Sequence, residues 1–111
     1  MVSCMSIYEK RTYSITVGHM PEVFRLYEEE GWPAMTQGGF DAKLVGYFTS
    51  DTGPLHQLIH IWRFDDDADR RAFWSGIFAD EEFMKFAVQI RSHVDAQDVQ
   101  LLNAAPWGPQ A

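Results

Sequence analysis

A single cysteine, Cys4, stands in a chain of 111 residues, so no disulfide can form within it and no thiolate cluster can hold zinc. No run approaches the roughly 20 consecutive apolar residues that a membrane span requires, and the N-terminus lacks the basic-then-apolar order of a signal peptide. Basic charge is scarce as well: nine Lys and Arg against sixteen Asp and Glu leave a formal net charge of −7. The resulting field repels phosphate backbones and anionic headgroups, which excludes nucleic acid and bare membrane surfaces as expected partners. Also missing are a glycine-rich phosphate loop, a nucleophile elbow and a paired catalytic cysteine and histidine. These absences lead to the expectation of a cytoplasmic protein without a cofactor.

What is present is the composition of one globular domain. Apolar residues make up 46% of the chain and charged residues 23%, a balance that argues against intrinsic disorder. At this length folding hides roughly two-thirds of the extended-chain surface, enough for one core and not for two. The whole chain, 1–111, is expected to be a single domain, with its core over 5–103 and an irregular tail over 104–111 broken by two prolines.

Between Met5 and Val17, β-branched and aromatic residues nearly alternate (Ile7, Tyr8, Thr12, Tyr13, Ile15), the pattern of a strand that Gly18 stops. Pro21 then opens a helix over 19–30, on which Met20, Val23, Phe24 and Tyr27 recur at helical spacing; Gly31 and Pro33 predict its end. The segments 43–50 (KLVGYFTS) and 56–64 (HQLIHIWRF) read as strands, joined through Asp51, Thr52, Gly53 and Pro54 as a hairpin. Asp65–Asp67 predict the cap of a helix carrying Ala72, Phe73, Trp74, Ile77 and Phe78. Asp80 predicts a second cap, so this helical layer is split, with Phe83, Phe86, Ala87 and Ile90 on its second piece. A last strand covers 94–102.

The order βαββαβ, with its central hairpin and a right-handed crossover, places strand one beside strand three. The expected fold is α+β and ferredoxin-like, a four-stranded antiparallel sheet with its helices on one face. The other face is the informative one. Strand three sets Leu58, Trp62 and Phe64 against Ile59 and Ile61, and strand two sets Leu44 and Phe48 against Val45 and Tyr47, so neither side is written for water. The uncovered side would expose more than the roughly few hundred Å² of apolar patch that a soluble monomer tolerates. A second copy of the sheet is the simplest cover, which predicts a homodimer.

The strand IYEKRTY (7–13), the helix end YEEEGWP (27–33) and the hairpin GYFTSDTGPLHQLIHIW (46–62) together resemble the NIPSNAP family of small α+β proteins, over nearly the whole domain from Ile7 to Leu102. The resemblance implies a fold of the dimeric α+β barrel type, in agreement with the pattern. About activity it implies little: bacterial members generally lack an assigned reaction, whereas animal relatives are associated with mitochondria, membrane traffic and protein interaction. With no N-terminal targeting pattern, a mitochondrial or trafficking role is not expected here.

Glu9, Arg11 and Tyr13 alternate along strand one and so leave the same face, neighbours about 6.5 Å apart. In a cleft, Arg11 would hold an anionic or carbonyl oxygen, Glu9 would orient Arg11, and Tyr13 would donate a hydrogen bond or act as a weak acid. A structural ion pair steadying the sheet would have the same pattern. The matching family strand carries the same residue types, so the resemblance adds weight to this wall as a site. His60 and Trp62 share a face of strand three; histidine is the natural base near neutral pH, and tryptophan can pack a flat ligand. Arg11, Tyr13 and His60 are thus the candidate catalytic residues, and Glu9, Tyr47 and Trp62 the candidate ligand-binding ones. The pattern leaves open whether His60 and Arg11 share a sheet face. His56 and His60 lie about 13 Å apart, too far to chelate one ion. Capping explains Asp65, Asp66, Asp67 and Asp69, so no metal site is expected.

Three functions follow. An aromatic excess beside few polar residues fits a homodimer that binds a small, partly hydrophobic molecule between each sheet and its helices. Analogy of fold with small monooxygenases and isomerases of the dimeric α+β barrel type points to a cofactor-independent enzyme; haem degradation is not expected, because residues 68–90 contain no histidine. The third function is a protein–protein interaction module that docks through the acidic surface and the Trp107 tail.

Overall fold

The computed structural model describes residues 6–109, so Cys4, the predicted strand start at Met5 and the end of the tail lie outside the described residues. Four strands, β1 (Ile7–Ile15), β2 (Leu44–Thr49), β3 (Gln57–Phe64) and β4 (Val94–Asn103), form one sheet in the order β2-β3-β1-β4. Every neighbouring pair is antiparallel. This is the α+β, ferredoxin-like arrangement that the order of elements predicts. The split helical layer is also present, as α3 (Asp67–Phe78) and α4 (Glu81–Arg91). Each begins on its predicted cap: Asp66 accepts the Asp69 N–H at 2.8 Å, and Asp80 accepts the Phe83 N–H at 2.8 Å. Among the described residues, no helix is long and apolar enough to cross a membrane.

The first helix departs from expectation. It does not stop at Gly31 and Pro33; α1 (Met20–Leu26) runs through a wide π turn (Tyr27–Gly31) into α2 (Trp32–Gln37). In that turn the Trp32 N–H bonds the Tyr27 carbonyl, five residues back. A proline inside a regular helix lacks a donor and collides with the carbonyl four residues earlier. Placing Pro33 just after the widened turn, in the first turn of α2, lets the helix absorb it. Gly31 is a packing notch, since a Cβ there would sit 2.6 Å from the Phe86 ring of α4. The stop comes later, at Gly38 and at Gly39, whose φ of 74° lies in the left-handed region that glycine adopts without strain.

Strand β2 holds a second departure. Leu44 faces Trp62 and Gly46 faces Ile61, so Val45 is an extra residue and the alternation slips by one. Leu44 and Tyr47 therefore pack on the same, helix-covered side, and Tyr47 is separated from Val45 with which strict alternation groups it.

The core has two buried clusters. One joins Ile15, Val23, Leu26, Leu58, Phe86 and Ile90; the other joins Met35, Trp62, Phe64 and Ile77. Tyr27, Tyr47 and Phe83 pack against both. The uncovered side of the sheet is apolar on β2 and β3, where Phe48 is 50% exposed and Ile59 and Ile61 are half-buried. By register, β1 and β4 place Lys10, Thr12, Asp98 and Gln100 there, so this face is mixed rather than apolar throughout. On the helix side of β4, Val99 and Leu101 are also exposed.

Candidate functional site

Pairing across the sheet settles the question that single strands leave open. Arg11 lies opposite His60, and Tyr47 lies opposite His60 from the other side, so the three form one row across β1, β3 and β2. Glu9 is opposite Trp62. All five residues, with Tyr13, are on the helix-covered face, where the second helical layer and the π turn close over them.

A cavity of about 120 Å³ sits at the junction of the two clusters. Its walls include Arg11, Tyr13, Tyr47, His60 and Trp62, so five of the six sequence-predicted residues meet there. Glu9 does not line it. That carboxylate is fully buried behind Arg11, accepting from Arg11 Nη1 at 2.8 Å and from the Trp74 indole at 3.0 Å, with Arg70 Nη1 at 3.3 Å. Glu9 thus fixes Arg11 from behind instead of lining the cavity. The Arg11 guanidinium also lies 4.5 Å from the Trp74 ring centre, and its Nε donates to the Tyr13 oxygen at 3.2 Å. Burial works against the Arg11 charge, but Tyr13 and Glu9 outweigh it and raise the pKa.

His60 is only 4% exposed, with the Tyr47 ring stacked 5.1 Å away and Tyr13 edge-on at 4.9 Å. Its Nδ1 is 2.7 Å from the Trp62 indole nitrogen. An indole N–H only donates, so Nδ1 accepts and the imidazole proton resides on Nε2. Nε2 is buried and has no hydrogen-bond partner among the described residues. Burial, assisted by the Arg11 charge, lowers the His60 pKa from 6.5 to about 3. The ring is therefore neutral at physiological pH, with its accepting nitrogen engaged by the Trp62 indole and its N–H left over. Burial pushes the phenols of Tyr27 and Tyr47 upward, so both keep their protons.

Sequence reasoning misses several wall residues. Met35 accepts the Tyr47 hydroxyl at 3.4 Å, but it lies beyond the predicted helix end. Trp74 reads as one more apolar helix position, because the Glu9 carboxylate that accepts its indole N–H lies on another element, 65 residues earlier. Arg91 and Gln97, both exposed, complete the wall from α4 and β4.

The sequence profile of the NIPSNAP family matches residues 8–109. The chain belongs to the NIPSNAP family. A NIPSNAP family protein with unknown function from Agrobacterium tumefaciens is 30% identical, with 97% of this chain and 96% of that one covered and a TM-score of 0.87. Protein NipSnap homolog 3B of Mus musculus is 24% identical over 104 residues, which is 92% of this chain and 40% of the mouse protein. The NIPSNAP domain described here thus spans well under half the length of that relative. A dimeric ferredoxin-like protein from an uncultured marine organism is 13% identical, with a TM-score of 0.67 over 96% of this chain and 94% of its own. An antibiotic biosynthesis monooxygenase is 19% identical, with a TM-score of 0.62 over 90% of this chain and 99% of its own. These two likenesses extend to the fold alone.

Proposed function

We propose that this NIPSNAP domain is a cytoplasmic homodimer that takes a small, partly hydrophobic molecule into the cavity between its sheet and its helices. The observation that carries the ligand reading is that His60, whose buried Nε2–H has no acceptor among the described residues, lines the cavity. An unsatisfied buried donor costs about 1–3 kcal/mol, and an acceptor on a ligand removes that cost. The aromatic walls around it, Tyr47, Trp62 and Trp74, suit a flat apolar body. The test is a thermal-shift screen of one-ring compounds against the wild type and His60→Phe. Stabilisers of the wild type that fail on the variant are the expected result; a screen without any stabiliser of the wild type contradicts the reading.

The dimer reading is supported by the apolar residues left uncovered on β2, β3 and β4, and by a fold shared with a protein described as dimeric. A single cysteine and an acidic surface fit the reducing, nucleic-acid-rich cytoplasm.

Cofactor-independent catalysis is the second reading, favoured by the convergence of Arg11, Tyr13 and His60 on one cavity. In that reading the three stabilise a developing enolate or phenolate oxygen as donors, and the base comes from elsewhere. Turnover that survives both Arg11→Gln and His60→Phe would exclude it.

A further inference from the structure

We infer that the ligand is an anion, a one-ring or similarly small planar molecule whose carboxylate, phenolate or enolate oxygen is held by Arg11, Tyr13 and His60. This rests on the ligand reading above and specifies its chemistry.

The charge of the wall carries the inference. The chain has sixteen acidic residues and nine basic ones, yet the cavity is lined by two arginines, Arg11 and Arg91, and by no carboxylate. The nearest carboxylate, Glu9, is shielded behind Arg11 and bonded through both oxygens. In an acidic protein this cavity is thus lined by cationic side chains and, among its lining residues, by no anionic one.

Hydrogen bonding leads to the same conclusion. Arg11 spends Nε on Tyr13 and Nη1 on Glu9, which leaves Nη2 outside both bonds. Because the Tyr13 oxygen accepts from Arg11, its own hydrogen is left to donate. His60 adds its Nε2–H, fixed in that tautomer by Trp62. The Tyr47 hydroxyl already points at the Met35 sulfur. Three side chains that line the cavity thus each keep a donor, one of them charged, and the matching ligand group is a charged acceptor.

Size limits the rest of the molecule. An apolar cavity of about 150 Å³ admits one benzene ring. At about 120 Å³, with exposed Arg91 and Gln97 in its wall, this cavity suits one ring and excludes fused polycycles.

Benzoate, benzyl alcohol and benzylamine test the inference as probes of one shape and three charges. Binding to the full chain is read by titration calorimetry and by the fluorescence of Trp62 and Trp74. Benzoate is expected to bind at least about tenfold more tightly than benzyl alcohol, and benzylamine not to bind. Arg11→Gln should reduce benzoate to the affinity of benzyl alcohol. Arg11 is tied to buried Glu9, so Arg91→Gln on the exposed rim is the second variant; it should weaken benzoate by about threefold and leave benzyl alcohol unchanged. Equal binding of benzoate and benzyl alcohol, insensitive to Arg91→Gln, would overturn the anion assignment and keep the cavity as a ligand site. No saturable binding of any probe by either readout would overturn both.

Discussion

Charging the His60 ring disturbs the same buried contact as removing the Trp62 indole, and acid alone can do it. The folded protein holds His60 neutral, with a pKa of about 3, whereas the unfolded chain protonates it near 6.5. Between those values the unfolded state binds more protons, so stability is whole above the unfolded pKa and falls as the pH is lowered. About 2 kcal/mol should be lost from this group between about pH 7.5 and pH 5, measured by urea denaturation at each pH. His60→Gln keeps a donor and an acceptor and should remove that part of the slope. A variant with the wild-type slope would show that another group titrates. Glu9→Gln is expected to cost about 3 kcal/mol in the same assay, because it leaves two arginines facing a neutral amide. At this scale much of the site was legible: Glu9, Arg11 and Tyr13 alternate, as do His60 and Trp62. What could not be read was their meeting, because register between strands is a property of two segments and neither segment encodes it alone.

Elements were readable wherever the signal was a local hydrogen bond. Asp66 and Asp80 cap helices because a carboxylate and free N–H groups a turn later suffice. Gly31 and Pro33 misled for the opposite reason, since their effect depends on a partner 55 residues away and on a widened turn. The Phe86 ring occupies the place of a Gly31 side chain. Gly31→Ala should therefore destabilise the protein by about 1–2 kcal/mol, with overpacking outweighing the gain in helix propensity. Thermal melts of Gly31→Ala, Phe86→Leu and the double variant test this. The double variant should be more stable than the sum of its parts, and strict additivity would mean that the notch is not the cause.

For the molecule as a whole, the strand order and the placement of the helices on one face followed from element order and handedness alone. The composition of the uncovered face did not, because the apolar alternation of β2 and β3 says nothing of the polar residues that β1 and β4 contribute beside them. The apolar area is thus a patch around Phe48, Ile59 and Ile61 with a polar border, the usual anatomy of a subunit contact. Sedimentation equilibrium at micromolar concentration is expected to give a dimer, and Ile59→Lys a folded monomer by circular dichroism. A monomeric wild type would contradict the dimer outright.

The extra residue at Val45 bears on how relatives of this chain should be compared. Because the bulge decides which way Tyr47 points, a relative with a β2 of the same length but no bulge would turn its tyrosine outward, whereas one lacking Val45 would keep the tyrosine opposite His60 by plain alternation. A single gap at that position is therefore compatible with the same wall, even though it would look like a shift of every residue that follows.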